Sequence, residues 1–150
     1  MIEIDFEAYF PRLKFAKRGG KNCVFDPVRR RYVAAEKEEL VRQVLLLHFT
    51  EGLHYPKAKM AVEKMITVNG LKRRFDVLVY DPDTKPFLLV ECKAPDVKIT
   101  EAVFRQIAAY NLPLKVPYLL VTNGVVSYCC RMDYGEEDFH FVEALPEYPK

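Results

Sequence analysis

Residues 74–93 read Arg74-Phe75-Asp76-Val77-Leu78-Val79-Tyr80, then Asp81-Pro82-Asp83-Thr84-Lys85-Pro86, then Phe87-Leu88-Leu89-Val90-Glu91-Cys92-Lys93. The flanks are continuous apolar runs rather than polar–apolar alternations, the pattern of strands covered on both faces. The middle, with two prolines and two aspartates, is a turn. The stretch therefore predicts an antiparallel hairpin at the centre of a sheet. Each flank is interrupted by a carboxylate, which is unfavourable in a buried strand unless paired or bound to a cation. With the turn symmetric about the Asp83–Thr84 bond, Asp76 lies directly opposite Glu91. Their side chains then share a face, with Cβ atoms ~4.5–5.5 Å apart. Lys93, two residues beyond Glu91, shares it too, and Cys92 points the other way. Facing carboxylates repel, and a divalent cation removes the repulsion; Mg²⁺ takes one or two carboxylates plus water and phosphate oxygens. A buried salt-bridge network of Asp76, Glu91 and Lys93 accounts for the same spacing, so spacing alone leaves both readings open.

Upstream, residues 59–68 form a strand that ends at the turn signal Asn69-Gly70. Before it, Glu36 to about Gly52 reads as a helix. Leu40, Val41, Val44, Leu47 and His48 recur at helical spacing, and Leu45, Leu46 and Phe49 make it apolar nearly all round, so it should be well buried. Val24-Phe25-Asp26-Pro27 and Arg31-Tyr32-Val33 read as a short hairpin around Pro27. Downstream, Ala94-Pro95 closes the third strand. A second helix runs from Thr100 to Asn111, with Val103, Ile107 and Tyr110 on one side. Pro117–Thr122 and Val125–Arg131 make a last hairpin around Asn123-Gly124, and Phe139–Val142 is a candidate edge strand. The order is helix, three strands, helix, two strands. This is an α/β protein with a mixed central sheet flanked by helices. No repeat or linker divides residues 1–150, so one domain is expected, with residues 1–31 as an N-terminal extension.

With 23 Lys and Arg against 21 Asp and Glu, the net charge of +2 excludes a uniformly basic nucleic-acid coat. The distribution is uneven: residues 1–75 carry net +7 and residues 76–150 net −5. Basic clusters at Lys14/Lys17/Arg18/Lys21, Arg29-Arg30-Arg31 and Lys72-Arg73-Arg74 are each explained by solubility, but three on one half suggest a phosphate-facing surface. No apolar run reaches the ~18–20 residues of a membrane helix, and the start Met1-Ile2-Glu3-Ile4-Asp5 lacks a signal-peptide shape. The four cysteines contain no C-x-x-C and read as buried thiols in a cytoplasmic protein. His48, His54 and His140 have no metal-ligand spacing, and Ser127, the sole serine, has no G-x-S-x-G around it.

Asp76 followed after fourteen residues by Glu91-Cys92-Lys93 resembles the PD-(D/E)xK nuclease motif. Glu38-Glu39-Leu40-Val41-Arg42-Gln43, Arg74-Phe75-Asp76-Val77, Val90-Glu91-Cys92-Lys93-Ala94-Pro95, Gln106 with Tyr110-Asn111, and Val121-Thr122-Asn123-Gly124 stand in the order seen in the N-terminal domain of type I restriction enzyme R subunits. The resemblance covers about residues 32–132. It implies a restriction-endonuclease-like α-β-β-β-α-β core and a Mg²⁺- or Mn²⁺-dependent DNA endonuclease. Asp76, Glu91 and the Cys92 carbonyl would hold the metal. Lys93 would orient the attacking water or stabilise developing charge. Gln106 would reach the active site or the phosphate backbone, and Tyr110 lies one turn away on the same side. Arg73 and Arg74 are the expected phosphate contacts near the site, and Glu39 is a candidate extra acid. For Glu38 an i, i+4 ion pair with Arg42 is expected. Phe75 stands where the family's name-giving proline would be. No G-x-x-x-x-G-K-[ST] loop is present, so the chain reads as a stand-alone domain without an ATP-driven motor. The alternative is a catalytically weak DNA-binding module acting with a partner. A homodimer or a targeting partner is compatible with either.

Overall fold

The computed structural model describes all residues except Tyr134 and Glu137, and the Val68 side chain. A short helix α1 (Phe6–Tyr9) leads into a three-stranded antiparallel sheet of β1 (Phe15–Arg18), β2 (Lys21–Asp26) and β3 (Arg31–Ala34). Helix α2 (Lys37–Leu47) follows and continues into a wide turn over His48–Gly52. The main sheet holds β4 (Met60–Val68), β5 (Leu71–Tyr80), β6 (Pro86–Cys92), β7 (Tyr118–Thr122), β8 (Ser127–Asp133) and β9 (Asp138–Val142), side by side in chain order. Helix α3 (Glu101–Asn111), capped by Thr100, connects β6 to β7. These two strands form the parallel pair, as a helical crossover requires, and the other neighbours are antiparallel. The N-terminal extension is thus a folded layer, because Phe15–Arg18 adds a third strand to the hairpin.

Two apolar clusters sandwich the main sheet. Val77, Val79, Leu88, Val90 and Cys92 pack on the side of α2, against Val41, Leu45 and Leu46. Leu78, Leu89, Leu119 and Val121 pack on the other side, against Phe104 and Ala108 of α3. Strands β5 and β6 are therefore covered on both faces, which is why their sequences read as continuous apolar runs. On α3 the buried stripe is Phe104, Ala108 and Asn111, and Tyr110 is 60% exposed. The Val103–Ile107–Tyr110 side expected from the sequence is the neighbouring, outer stripe. No helix among the described residues is long and apolar enough to cross a membrane.

The central hairpin reaches its expected register by an unexpected route. The turn pairs Tyr80 with Pro86, and the Asp81 amide donates to the Lys85 carbonyl (2.8 Å), so it is centred on Asp83 rather than on the Asp83–Thr84 bond. A bulge between Val79 and Tyr80 then inserts one residue. Beyond it Val79 faces Leu88, Leu78 faces Leu89 and Val77 faces Val90, the pairing that leads to Asp76 and Glu91.

A second irregularity sits at Asp76. On β4 and β5 the rungs pass from Val62↔Val77 to Lys64↔Phe75, skipping Glu63 and Asp76. Val62 and Val77 pack with the α2-side cluster, whereas Phe75, Leu71 and Ile66 pack with the α3-side cluster. Both strands thus exchange faces at this level, and Glu63 takes a left-handed φ of 48°. At the tip, Asn69 (φ 49°) and Gly70 (φ 79°) supply the two left-handed residues of a two-residue hairpin turn.

Candidate active site

Asp76 sits where β5 and β6 cease to pair, so its side chain takes over a bond that the backbone would otherwise make. Its Oδ2 accepts from the Cys92 amide at 2.7 Å. The link places the carboxylate beside Glu91 and Lys93, at the C-terminal end of a strand in the parallel pair, where α/β sheets form ligand crevices. The Lys93 amide donates to the Thr122 carbonyl at 2.8 Å, extending the β6–β7 pairing by one residue and fixing where the lysine starts.

Asp76, Glu91 and Glu38, from the first turn of α2, act on one another through space. Burial is the largest influence on each and pushes all three carboxyls above their ordinary values. Their mutual repulsion adds to this, whereas the Lys93 ammonium opposes it at all three. Asn111, 3% exposed at the end of α3, donates to the Ile107 carbonyl (2.9 Å) and favours the charged form of Glu91. Among the described residues Lys93 makes no ion pair. Asp76 and Glu91 are half-buried and Glu38 is exposed, and the three act on one another and on Lys93 through space, although their ligand oxygens do not all come within 4.8 Å of one another.

Arg42, buried on α2, spreads its guanidinium over Glu39 (3.3 Å), Glu63 (3.4 Å) and Asp76 Oδ1 (3.5 Å). Its expected partner Glu38 is left to face the strand carboxylates instead. Glu39, the candidate extra acid, is held by Arg29 (2.6 Å), Arg42 and Gln43 (3.2 Å). One helical residue is a rotation of ~100°, which is why adjacent acids divide between an ion network and the site. Arg29 also bonds Asp26 (2.6 Å) and reaches Glu63 (3.3 Å), so the β2–β3 turn is fastened to α2 and β4. A cleft of 330 Å³, lined by Arg29, Ala34, Glu38, Glu39, Arg42 and Glu63 among others, opens beside these groups.

The remaining sequence-derived candidates lie further out. Gln106 and Tyr110 are both exposed on the outer side of α3. The Arg73 guanidinium stacks on the Tyr110 ring at 4.5 Å, so this pair bridges β5 and α3. Arg74 is exposed, and its Nε donates to the Glu63 carbonyl (3.4 Å). From α3 it is Asn111 that acts on Glu91. Asn123 serves a structural end. Its Oδ1 accepts from the Val125 and Val126 amides (2.9 and 2.7 Å), and its Nδ2 ties down the Val97 carbonyl in the loop after Lys93 (2.8 Å). Gly124 beside it has φ 88°, and a Cβ there would meet Val41 Cγ2 at 3.3 Å.

Sequence reasoning missed Glu38, Asn111 and Arg42 as neighbours of the pair. The Glu38–Arg42 run and Asn111 were visible, but which way each side chain turns depends on strands far along the chain. Elsewhere, Asp133, Glu136 and His140 bring three potential ligand atoms together on the surface. Asp133 there accepts from the Gly135 and Glu136 amides (3.1 and 3.2 Å), and the cluster is remote in sequence from the strand pair.

No curated protein matches the chain. Among solved structures, the chain is similar to a fragment structure assigned to an HsdR subunit of a type I restriction enzyme from Vibrio vulnificus YJ016. The identity is 17% and the TM-score 0.51, over 75% of this chain and 24% of that one. The chain thus spans about a quarter of the length of that structure, and the likeness is one of fold. The family model described as type I restriction enzyme R protein N terminus (HSDR_N) matches residues 37–146, which run from α2 past β9 and take in every acid of the site. The chain belongs to this family of type I restriction enzyme R protein N-terminal domains.

Proposed function

We propose that this domain hydrolyses phosphodiester bonds in DNA, with Asp76 and Glu91 holding a Mg²⁺ or Mn²⁺ ion and the Cys92 carbonyl as a further protein oxygen. The observation that supports this most is the bond from the Cys92 amide to Asp76 (2.7 Å), which brings Asp76 to the end of β6 where Asp76, Glu91, Glu38 and Lys93 act on one another through space. Family membership and the HsdR-like fold agree with it. When bound, the ion polarises the scissile phosphate and acidifies a water. Lys93 orients that water or stabilises the charge that develops on the phosphate. The Cys92 amide and Arg42 fix the two oxygens of Asp76, and Asn111 steadies Glu91. Arg73, braced on Tyr110, and Arg74 contact the phosphate backbone next to the site. Gln106, one turn from Tyr110, faces the same approach.

The test is cleavage of plasmid and labelled duplex DNA by the purified protein with Mg²⁺, Mn²⁺ or EDTA, alongside Mn²⁺ titration calorimetry. The reading expects metal-dependent nicking that Asp76→Ala and Lys93→Ala abolish, and Mn²⁺ binding that Glu91→Gln weakens. No cleavage with any metal and no heat of Mn²⁺ binding would overturn it. Mn²⁺ and DNA binding without cleavage would instead favour a module that needs the other subunits of a restriction complex.

A further inference from the structure

The three-stranded sheet precedes residue 37 and so lies outside the stretch that the family model matches. Its two faces differ. Val24 and Asp26 point inward and are fully buried, Asp26 against Gln43 of α2. The outward face carries Arg18, Lys21, Phe25 and Tyr32, with Lys14 just before β1. The Phe25 and Tyr32 rings meet edge to face at 5.3 Å. Lys14 Nζ lies 5.9 Å over the first ring and the Arg18 guanidinium 4.5 Å over the second. Lys21 is the cross-strand neighbour of Arg18. No carboxylate occupies an outward position of the three strands, and all three cations are exposed.

This arrangement differs from a solvated charged surface, where each cation has an acid neighbour or free rotation. Here aromatic rings seat two of the side chains and limit their freedom before any ligand arrives, which lowers the entropy lost on binding. The sheet is also joined to the site. Val33 and Ala34, on opposite faces at the end of β3, both line the cleft that holds Glu38 and Arg42. Asp26 and Arg29, on the turn of the same sheet, lock it to α2 and β4.

We propose that this outward face is a second DNA-contacting surface, on which Lys14, Arg18 and Lys21 take the sugar-phosphate backbone of a duplex whose scissile strand lies in the cleft. The inference rests on the nuclease reading and adds a contact outside the catalytic core. It is independent of sequence, because cations on a flat strand surface read charge rather than base edges.

The experiment is fluorescence anisotropy of a labelled duplex in Ca²⁺ across a salt series. It compares the wild type with the triple variant Lys14→Gln/Arg18→Gln/Lys21→Gln, and with Lys57→Gln/Lys85→Gln/Lys150→Gln, which removes the same charge elsewhere. The triple variant is expected to bind at least about tenfold more weakly, and to lower the slope of log K against log salt by roughly 2 to 3, close to 0.9 per lost phosphate contact. The charge-matched control should leave the slope unchanged, and circular dichroism should show all three proteins folded. An unchanged slope in the triple variant, with binding still sensitive to Arg73→Gln/Arg74→Gln, would overturn this surface and leave the nuclease reading standing. Equal losses in the triple variant and its control would reduce the effect to net charge and also overturn it. Absence of duplex binding by the wild type at low salt would sink both.

Discussion

Asp26 and Asp76 are two carboxylates, each set in a strand beside an arginine of the same ion network, yet their environments are opposite. Asp26 is fully buried and accepts from the Val28 and Arg29 amides (2.7 and 2.9 Å), Arg29 Nε (2.6 Å) and Gln43 Nε2 (2.9 Å). Burial alone would raise its pKa, but these donors outweigh burial and bring the value below the usual one. Asp76 has one backbone donor and one long contact to Arg42, and burial wins, raising its pKa. Donor count, rather than depth, separates a carboxylate used as a rivet from one left with lone pairs to spare for a ligand.

The comparison is broken most directly by deleting each acid. Asp26→Ala removes the buried carboxylate that takes these four bonds, leaving Arg29 Nε and the Val28 and Arg29 amides without that acceptor and Gln43 with Glu39 alone, and should destabilise by about 3–5 kcal/mol. At ~2–4 °C per kcal/mol for a chain of this size, the melting temperature should fall by roughly 6–20 °C. Asp76→Ala should change the metal-free melting temperature little while lowering cleavage by about 10²–10³-fold. Thermal melts and a plasmid-nicking assay on the two variants check both. If Asp76→Ala unfolds the protein as Asp26→Ala does, Asp76 belongs to the rivet class and the site reading fails.

How much of this could be read in the sequence follows from the range of each interaction. The hairpin of residues 74–93 was legible because its apolar runs and turn residues are local, and a bulge at Val79/Tyr80 offset the misjudged centre of the turn. The helices and the edge strand were legible for the same reason. The roles of Arg42 and Glu39 were not. On a helix wheel Arg42 pairs with Glu38, but Glu63 and Asp76, brought in by β4 and β5, recruit it instead. The buried side of α3 was not legible, because Ala108 and Asn111 carry little hydrophobic signal next to Val103, Ile107 and Tyr110. The face exchange at Glu63 and Asp76 has no sequence signature, since nothing in a glutamate announces a left-handed backbone.

A pH series sharpens the contrast, because the two environments carry opposite signs. Asp26 has a lowered folded value, so its contribution is complete above its ordinary 3.8 and lost as the pH falls through the lowered one. Asp76 and Glu91 have raised folded values. Their protonated forms favour the native state below the ordinary 3.8 and 4.5, and that advantage is lost as the pH rises through the raised values. Without divalent metal, Asp76→Asn/Glu91→Gln should therefore melt above the wild type at neutral pH. The gap should close on acidification through those raised values. Asp26→Asn should remove part of the wild type's loss of stability below pH 3.8. Saturating Mn²⁺ should reverse the first difference by stabilising the wild type alone. A gap that stays constant with pH would show that the pair is not destabilised by its own charge.

The smallest expected effect asks what aims Asp76. Glu63, its counterpart on β4, holds a φ of 48°, a conformation that is unfavourable by about 1–2 kcal/mol for a residue with a Cβ. Glu63→Ala keeps that strain and loses the ion pairs to Arg29 and Arg42, which are worth about 0–1 kcal/mol at an exposed site. Glu63→Gly loses the same pairs but relieves the strain, at about 0.5–1 kcal/mol of extra backbone freedom in the unfolded chain. In an ordinary strand glycine is the less stable of the two; here it should equal or exceed alanine by up to about 1.5 kcal/mol. Urea melts of the two variants decide the order. If glycine is the more stable, the strands are held in a strained exchange of faces that turns Asp76 toward Cys92, whereas a more stable alanine leaves its orientation to Arg42 and the Cys92 amide.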